Sequence, residues 1–503
     1  MKRFKDYEPG QLMLLPPSLE ELIDKNDMVR VINHVVESLD IKEIEEGFKG
    51  GGCPSYNPKM MLKVIIYAYS NKLYSSRQIA KALKRDVAFM WLSGMQRPDF
   101  NTVNRFRSDY FKESLSSVFS KVVNYLLENG YVKSEDYFLD GTKFEADAGK
   151  YSHVWKANTT RYKAKVTKRI EEILAEVDRI NSEEDKLFEG KDLPEYGEGK
   201  PISSDDVKKI AESINAELKS KKVKKAKNEL QKAGEQLKKY EEQEAVLKGR
   251  NSYSKTDVEA TFMRLKNDEL RAAYNVQAGT ENGFVVGLSV HQNANDATTL
   301  KEHLKQRTEQ GLPEPKRIVS DAGYGTEENY KELKRRKIGN FLKYPTFRSD
   351  MQGKESPFKY DSKKDIYTCP QGRKLKFEKT YKETSKSGHV SSLRQYVCTS
   401  CKWCRSRSLC GRNKPRGNRT LRINKKLESF KLAARRNLSS PQGIVLRRRR
   451  GNEIESIWGD LKHNQAYKRI RLRGIIKAKL DLTWLFITSN LRKLANMELS
   501  LAT

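Results

Sequence analysis

Long hydrophobic runs and histidine are both scarce in this chain of 503 residues. No stretch approaches the roughly 18 consecutive apolar residues of a membrane-spanning helix, and no N-terminal apolar segment has the length of a signal peptide. We therefore expect a cytoplasmic protein with no membrane partner. The 6 histidines are scattered without an H-x-x-x-H pair. The chain also lacks a P-loop and a Ser-His-Asp arrangement, so nothing indicates an ATP-driven enzyme or a serine hydrolase.

Acidic residues are in deficit relative to basic ones. The chain has 98 Lys and Arg against 66 Asp and Glu, a formal net charge of +32. Solubility alone would not require such an excess, whereas a polyanionic partner would favour it, because cationic side chains release counterions from phosphates. The charge therefore favours a nucleic-acid partner. Hydrophobic residues make up only 37%, so we expect part of the chain to lie outside a compact core.

Cysteine is also rare, and its few copies are clustered. Of 6 cysteines, five lie within one short segment: Cys369, Cys398, Cys401, Cys404 and Cys410. In a reducing compartment such clustering favours metal over disulfides. The C-x-x-C steps of Cys398, Cys401 and Cys404, completed by Cys369, would form a tetrahedral structural Zn²⁺ site, and Cys410 could replace one of these ligands. The alternative is a set of reduced, metal-free thiols.

Two stretches of the chain are predicted to be helical. Residues 1–130 contain short helices with Ser, Asp or Asn near their starts, a pattern typical of a helix-turn-helix-like bundle. Such a bundle either binds DNA or simply packs, and the net charge favours DNA binding. Residues 157–252 carry one apolar stripe from Ile170 to Ile180 and a second from Val207 to Leu237. The two stripes predict an antiparallel hairpin of two helices joined by a Gly/Pro-rich loop.

The remaining segments predict an α/β core. Strand patterns at 131–156 and 253–345 alternate with helical segments, so we expect a mixed sheet with flanking helices. Short polar strands and the cysteines predict a small Cys-rich β insertion at 346–425, and helices at 426–503 complete the core. The hairpin and the Cys-rich segment separate the core segments by long distances in sequence. Such insertions are tolerable because loop-closure entropy grows slowly with length.

Three acidic residues are distinguished by their positions. Asp140 ends the apolar strand 137–139 and Asp321 ends the apolar strand 318–320, while Glu455 lies on a late helix. Carboxylates at strand ends can converge in the crevice of an α/β sheet, and together they can bind Mg²⁺ or Mn²⁺. Two such ions about 3.5–4 Å apart would support phosphodiester cleavage. The alternative for an Asp before glycine at a strand end is an ordinary turn residue.

The helix that carries Glu455 is predicted to have two faces. Its apolar face, which would pack on the sheet, consists of Ile454, Ile457 and Leu461. Trp458 and Lys462 follow Glu455 on an adjacent face. Lys462 would then be directed at the phosphate backbone, and Trp458 would either pack beside the site or stack on a flipped base.

Several sequence motifs occur together in one order. They are 140-DGTKFEA-146, 254-SKTDVEATFM-263, 320-SDAGYGTEEN-329 and the E-x-x-W-G-x-x-K-x-N of residues 455–464. In this order they resemble the DDE transposases of bacterial insertion sequences, which have an RNase-H-like catalytic core. The segments 56–83 and 102–107 resemble the InsH-type N-terminal domain of such proteins. One departure is Gly451, where the family usually has an arginine; an arginine of 447-RRRR-450 can substitute, and the sequence does not assign which.

The resemblance implies a nucleoid-associated bacterial enzyme that cuts at insertion-sequence ends and joins the 3′-hydroxyl to target DNA. Asp140, Asp321 and Glu455 would hold Mg²⁺ or Mn²⁺ for this phosphodiester transfer. The partner would be double-stranded DNA, both terminal inverted repeats and target, and pairing of two ends leads us to expect a homodimer. The residues expected to contact DNA are Arg449, Arg450, Lys462, Lys468, Arg469, Arg471 and Arg473.

Two other functions remain open from the sequence. One is an RNase-H-like nuclease that cuts DNA without strand transfer. The other is a non-catalytic DNA-binding protein derived from a transposase. The presence of all three acids disfavours the second alternative, and Mg²⁺-dependent cleavage and joining of element-end DNA would separate the three.

Overall fold

The structure is a computed structural model that describes most of the chain. The described residues are 18–46, 54–185, 203–213, 221–353, 356–385, 387–398, 401, 404, 410 and 418–502. Within these ranges, no helix is both long enough and apolar enough to cross a membrane. The predicted DNA-contacting residues and the cysteines between Cys369 and Cys410 all lie within the described residues.

The described N-terminal residues form short helices. Their bounds are α1 (Met28–Ser38), α2 (Lys42–Glu46), α3 (Pro58–Ser70), α4 (Ser76–Ala82), α5 (Val87–Leu92), α6 (Phe100–Arg105) and α7 (Leu115–Glu128). The side chains of Asn57, Asp86 and Asp99 accept hydrogen bonds from backbone N–H groups of the turn that follows, which explains where three of these helices begin. α4 packs against α6, an arrangement compatible with a helix-turn-helix-like bundle.

Three strands and three helices are described next along the chain. Its elements are β1 (Asp136–Glu145), β2 (His153–Trp155), α8 (Lys156–Asp185), α9 (Ser204–Ser213), α10 (Lys221–Leu247) and β3 (Ser252–Ser254). The prediction of a hairpin of two helices is wrong, because the second apolar stripe is divided between α9 and α10. α10 packs against both α8 and α9. The narrow apolar stripe of α8 is therefore buried with Val207 of α9 and Leu230 of α10 in one apolar cluster.

The next segment supplies most of the central sheet. Its elements are β4 (Thr261–Arg264), β5 (Leu270–Glu281), β6 (Phe284–His291), α11 (Leu300–Glu309), β7 (Arg317–Ser320), α12 (Glu327–Arg336), β8 (Gly339–Leu342) and α13 (Phe347–Met351). The predicted alternation of strands with helical segments is confirmed here. The sequence pattern did not predict β8, which extends the sheet beyond β7.

The central sheet is mixed, as the sequence predicts. Its order is β6-β5-β1-β7-β8, with β4 paired to the first part of β5. β1 runs antiparallel to β5 and parallel to β7, and β7 runs parallel to β8. A mixed sheet of this kind with flanking helices is compatible with an RNase-H-like core.

Asp140 does not end its strand, so that part of the prediction is wrong. β1 continues to Glu145, and Gly141 pairs with Gln277 of β5. A Cβ atom on Gly141 would lie 2.4 Å from Gln277 Nε2 and 2.6 Å from Asp296 Oδ1. The glycine is therefore required by close packing within the sheet, and the Asp-Gly pair is not a turn.

The Cys-rich segment forms its own antiparallel sheet. Its strands are β9 (Lys359–Asp361), β10 (Ile366–Thr368), β11 (Lys374–Thr384), β12 (Val390–Cys398) and β13 (Thr420–Ile423). The buried carboxylate of Glu327, on α12, links this sheet to the central one. It accepts hydrogen bonds from Ser391 Oγ at 2.8 Å and from Asn424 Nδ2 at 2.6 Å.

The C-terminal elements connect the central sheet to the N-terminal helices. They are α14 (Lys425–Ser439), α15 (Pro441–Arg450), α16 (Ser456–Gly459) and α17 (Ile475–Ala502). α16 is flanked by π-helical turns at Gly451–Glu455 and Asp460–Asn464. α17 packs against both α3 and β6, so buried side chains of the N-terminal helices and of the sheet share one hydrophobic core.

A buried aspartate fixes this packing. Asp481, on α17, is fully buried and accepts hydrogen bonds from the hydroxyls of Tyr69 and Tyr467 and from the backbone N–H of Arg471. Its charge also lies near Arg107, whose pKa it helps to raise against the opposing effect of burial. The Asp481 carboxylate therefore links three parts of the chain, namely α3, α17 and the segment that follows α16.

We predict that Asp481→Ala lowers the free energy of unfolding by about 3–5 kcal/mol, because it leaves buried donors and Arg107 without their acceptor. Urea unfolding followed by far-UV circular dichroism measures the change. Asp109→Ala is the control, since exposed Asp109 makes only a 3.4 Å ion pair with Lys477, and we expect it to cost below about 1 kcal/mol. Equal effects of the two substitutions would contradict the role given to Asp481.

Candidate active site

The register of the central sheet places two of the predicted acids side by side. β1 and β7 pair in parallel, with Leu139 opposite Ser320. The next residues along the two strands are Asp140 and Asp321, and neighbouring strands lie about 4.8 Å apart. Asp321 directly follows β7, as predicted, and its Oδ1 accepts a hydrogen bond from the Gly323 N–H at 2.9 Å.

Arg450 connects the third acid, Glu455, to Asp140. Arg450 Nη2 lies 2.9 Å from Asp140 Oδ1, and its Nη1 lies 3.1 Å from Glu455 Oε1. Arg450 and Glu455 are five residues apart. Arg450 precedes the π-helical turn Gly451–Glu455, and Glu455 is its last residue; hydrogen bonds in such a turn run from i to i+5. The turn therefore brings Arg450 beside Glu455. Arg450 is thus the arginine of 447-RRRR-450 that stands next to the acids.

The neighbouring Arg449 and Glu453 have a different role. Glu453 is buried, and its Oε2 accepts a hydrogen bond from the Gly283 N–H at 2.7 Å, at the turn between β5 and β6. Arg449 lies 2.9 Å from Glu453 Oε1 and 3.2 Å from Asp136 Oδ2. These contacts anchor the π-helical turn to the sheet. Glu455, in contrast, has a side chain that is 61% exposed and can meet a ligand.

Burial and clustered charge alter the acidity of the site. Burial raises the pKa of Asp140 to about 6, opposed by Arg450 and reinforced by the charges of Asp321 and Asp296. Burial also lowers the pKa of Lys343, and the positive charges of Arg450 and Arg447 lower it further. With a pKa of about 6, Asp140 is mainly ionised at neutral pH, and the adjacent Arg450 favours its ionised form.

Lys462 and Trp458 lie behind the acids, against β1. Lys462 Nζ donates hydrogen bonds to Thr142 Oγ1 at 2.6 Å and to the Lys143 carbonyl at 2.9 Å. Burial lowers the pKa of Lys462 to about 8. Trp458 is 3% exposed and packs against Phe144, so its packing role is confirmed and stacking on a flipped base is not.

Two models of known protein families match parts of the chain. A model described as Transposase DDE domain matches residues 368–495, and a model described as Transposase domain (DUF772) matches residues 17–109. The two matches together support an insertion-sequence DDE transposase. The first match includes Glu455 and Lys462, whereas Asp140 and Asp321 lie outside both matched ranges and are placed by the sheet register alone. None of the curated proteins compared with the chain matches it.

The basic residues after α16 are partly engaged within the transposase. Arg469 donates hydrogen bonds to the carbonyls of Ala146 and Ala148 at 3.1 and 3.0 Å. Arg473 lies 2.8 Å from Asp147 Oδ2. The side chains of Lys468 and Arg471 are exposed. This segment is therefore attached to the end of β1, with further positive charge facing solvent.

The cysteines are grouped but do not form a metal site in the described residues. Cys369 and Cys398 are buried in the apolar cluster of the Cys-rich sheet. Burial raises the pKa of Cys410, and the nearby thiols of Cys369 and Cys404 raise it further. Among the residues that the structure describes, no group of three or more His, Cys, Asp or Glu side chains is placed to hold a metal ion.

The donor chemistry of the acids nevertheless fits a divalent cation. Mg²⁺ and Mn²⁺ prefer carboxylate oxygens as ligands. The DDE family implies use of such a metal. Asp140 and Glu455 already share a cation, the guanidinium of Arg450. That guanidinium separates the two acids.

Two further residues near the acids, Lys343 and Asp296, were not indicated by the sequence. Lys343 directly follows β8, just as Asp321 follows β7, so a strand-end signal was available once β8 was recognised. Asp296 lies in the loop after β6, and its Oδ1 is within 2.6 Å of where a Cβ on Gly141 would be. Asp296 had no such signal, because its position depends on side chains of β5.

We predict that Asp140→Asn stabilises the metal-free transposase at neutral pH by about 1–3 kcal/mol. The pKa of Asp140 is raised to about 6 in the folded chain, so its protonated form favours folding and this stability is lost as pH rises through about 6. The advantage of the amide should therefore grow from about pH 4 to about pH 7 and then level off. Urea unfolding in EDTA across this range measures it.

The control for this prediction is Glu309→Gln, which changes an exposed acid paired at 3.6 Å with Lys305. We expect a change below about 1 kcal/mol at every pH. An Asp140→Asn protein no more stable than the wild type at neutral pH would show that Asp140 carries no electrostatic penalty.

Proposed function

We propose that this transposase cuts DNA at the ends of its insertion sequence and joins the 3′-hydroxyl to target DNA, with Asp140, Asp321 and Glu455 as its catalytic acids. The parallel register of β1 and β7 is the observation that carries the proposal, because it places Asp140 beside Asp321. The ion pairs of Arg450 with Asp140 and Glu455 add the third acid. The mixed sheet supports an RNase-H-like core.

The three acids would hold Mg²⁺ or Mn²⁺. When bound, such ions activate the attacking oxygen and stabilise the leaving oxygen of a phosphodiester. Asp140 must be ionised to act as a ligand, and its raised pKa of about 6 makes the site sensitive to mild acid. Before DNA binds, Arg450 lies between Asp140 and Glu455 and pairs with both. Its planar guanidinium, which contacts one oxygen of each of these two carboxylates, can then exchange a carboxylate partner for a phosphate.

The DNA would follow the positive surface around the acids. Lys468 and Arg471 are exposed, and Arg469, Arg473 and the N-terminal helices would extend the contact to the terminal inverted repeats. Lys462 and Arg449 would act mainly by supporting β1 and the π-helical turn, given their present contacts. A homodimer would pair two element ends, and nucleoid association would follow from DNA binding.

The test is cleavage and joining of element-end DNA in Mg²⁺ by purified protein. We expect nicks at the ends followed by joined products, both reduced by about 10²–10³-fold or more in Asp321→Ala and Glu455→Gln, the cost of losing a group that stabilises transition-state charge. Glu309→Gln, which changes an exposed residue at the end of α11, should retain full activity.

The other outcomes separate the alternatives. Cleavage without joining would favour an RNase-H-like nuclease. DNA binding without cleavage would favour a non-catalytic protein. Full activity of Glu455→Gln would show that the assignment of the third acid is wrong.

Structural Zn²⁺ is a separate part of the proposal. The C-x-x-C spacing supports it, as does the closeness of Cys369 and Cys404 to Cys410. We expect about one zinc per chain by elemental analysis of protein purified without chelators, and less in a Cys369→Ser Cys404→Ser double variant. Zinc-free, fully folded wild-type protein would contradict it.

A further inference from the structure

A lysine continues the row of charged residues across the central sheet. β7 runs parallel to β8, and Ser320 pairs with Leu342. The next residues along these two strands are Asp321 and Lys343, and the backbone N–H of Lys343 still donates to the Ser320 carbonyl at 3.2 Å. Because β1 pairs with β7 in the same direction, Asp140, Asp321 and Lys343 form one row across three neighbouring strands. Residues in such a row share one face of the sheet.

The backbone of Lys343 is fixed by packing on both sides. Leu342 and Tyr344 are buried, and a Cβ atom on Gly325 would lie 2.5 Å from the Lys343 carbonyl oxygen. The turn after Asp321 therefore packs directly against this residue. The Lys343 side chain is half-buried. Among the described residues, no hydrogen bond or ion pair engages its ammonium.

Two arginines of α15 add positive charge near this lysine. Arg447 and Arg450 are three residues apart, so they share one face of the helix. Burial lowers the pKa of Lys343, and Arg450 and Arg447 lower it further, opposed by the charges of Asp321 and Glu455. The Nε atoms of both arginines are buried and donate no hydrogen bond within the described part of the chain. Three cations with unused donors therefore lie close together.

Pairing with the acids does not account for the position of Lys343. Arg450 makes the ion pairs with Asp140 and Glu455, and Lys343 makes none in the ranges described. Placing a half-buried lysine beside two arginines is unfavourable without an anion, because both burial and like charge disfavour its charged form. Groups held at such a cost cluster at functional sites.

We propose that Lys343 binds a phosphate of the DNA backbone beside the proposed catalytic acids. This inference rests on the proposed function, because it assigns a DNA contact to the same site. An ammonium is a compact point charge with three donors, and it binds a phosphate without requiring the planar geometry of a guanidinium. The unused donors of Arg447 and Arg450 favour a polyanion at the same place.

The salt dependence of DNA binding tests this contact. Fluorescence anisotropy of a duplex with one terminal inverted repeat gives the affinity of the full-length protein, in EDTA and between about 50 and 200 mM salt. Each phosphate contact contributes about 0.9 to the slope of log K against log salt. We expect Lys343→Met to weaken binding and to reduce this slope by about 1, and Lys343→Arg to restore both.

Lys305→Met is the matched control. Lys305 is exposed and pairs with Glu309 at 3.6 Å, near the end of α11 that precedes β7, whereas Lys343 follows the end of its strand. We expect this variant to keep the wild-type slope. Urea unfolding of each variant checks the fold, and Lys343→Met should unfold no earlier than the wild type, because it removes a half-buried charge.

The outcomes separate this inference from the proposed function. A wild-type slope in folded Lys343→Met would overturn the inference alone. If that variant unfolds early, Lys343→Gln is measured instead, and an unchanged slope would equally contradict the contact. A reduced slope in a protein that binds DNA without cleaving it would support the contact and overturn the proposed catalysis. A wild-type protein that does not bind the terminal repeat would overturn both.

Discussion

The parallel pairing of β1 with β7 is the constraint on which the candidate site depends. Because the pairs run in step up to Leu139 and Ser320, the following residues, Asp140 and Asp321, must be neighbours. Asp140 and Asp321 repel each other at this spacing. Burial raises the pKa of Asp140, and the charge of Asp321 raises it further. The positive charge in the rest of the site offsets this repulsion between the two acids.

Arg450 supplies the compensating charge, and the π-helical turn makes its position possible. In a regular α-helix, residues five apart do not share a face, but the wider turn at Gly451–Glu455 brings Arg450 against both Asp140 and Glu455. π-Helical turns are frequently found at functional sites. Glu453 and Arg449 hold the turn to the sheet, so anchoring and function are divided between neighbouring residues of one helix.

The sequence predicted the elements better than the contacts between them. Short apolar strands in the sequence indicated β1 and β7, and Asp321 was correctly placed after its strand. The Asp-Gly pair at 140–141 was misleading, because its glycine is required by Gln277 and Asp296, which come from distant parts of the chain. Helical periodicity could not distinguish Arg450 from its three arginine neighbours, since a π-helical turn departs from that period. It also could not show that Lys462 turns back onto β1.

We propose that the acids around Arg450 form a divalent-cation site, in which the guanidinium now lies where the metal would bind. The most direct measurement is anomalous diffraction from crystals of the protein soaked in Mn²⁺. We predict a manganese peak beside Asp140 and Asp321, with the guanidinium of Arg450 moved away from the Asp140 carboxylate. Manganese bound only elsewhere, with the contacts from Arg450 to Asp140 and Glu455 unchanged, would contradict it.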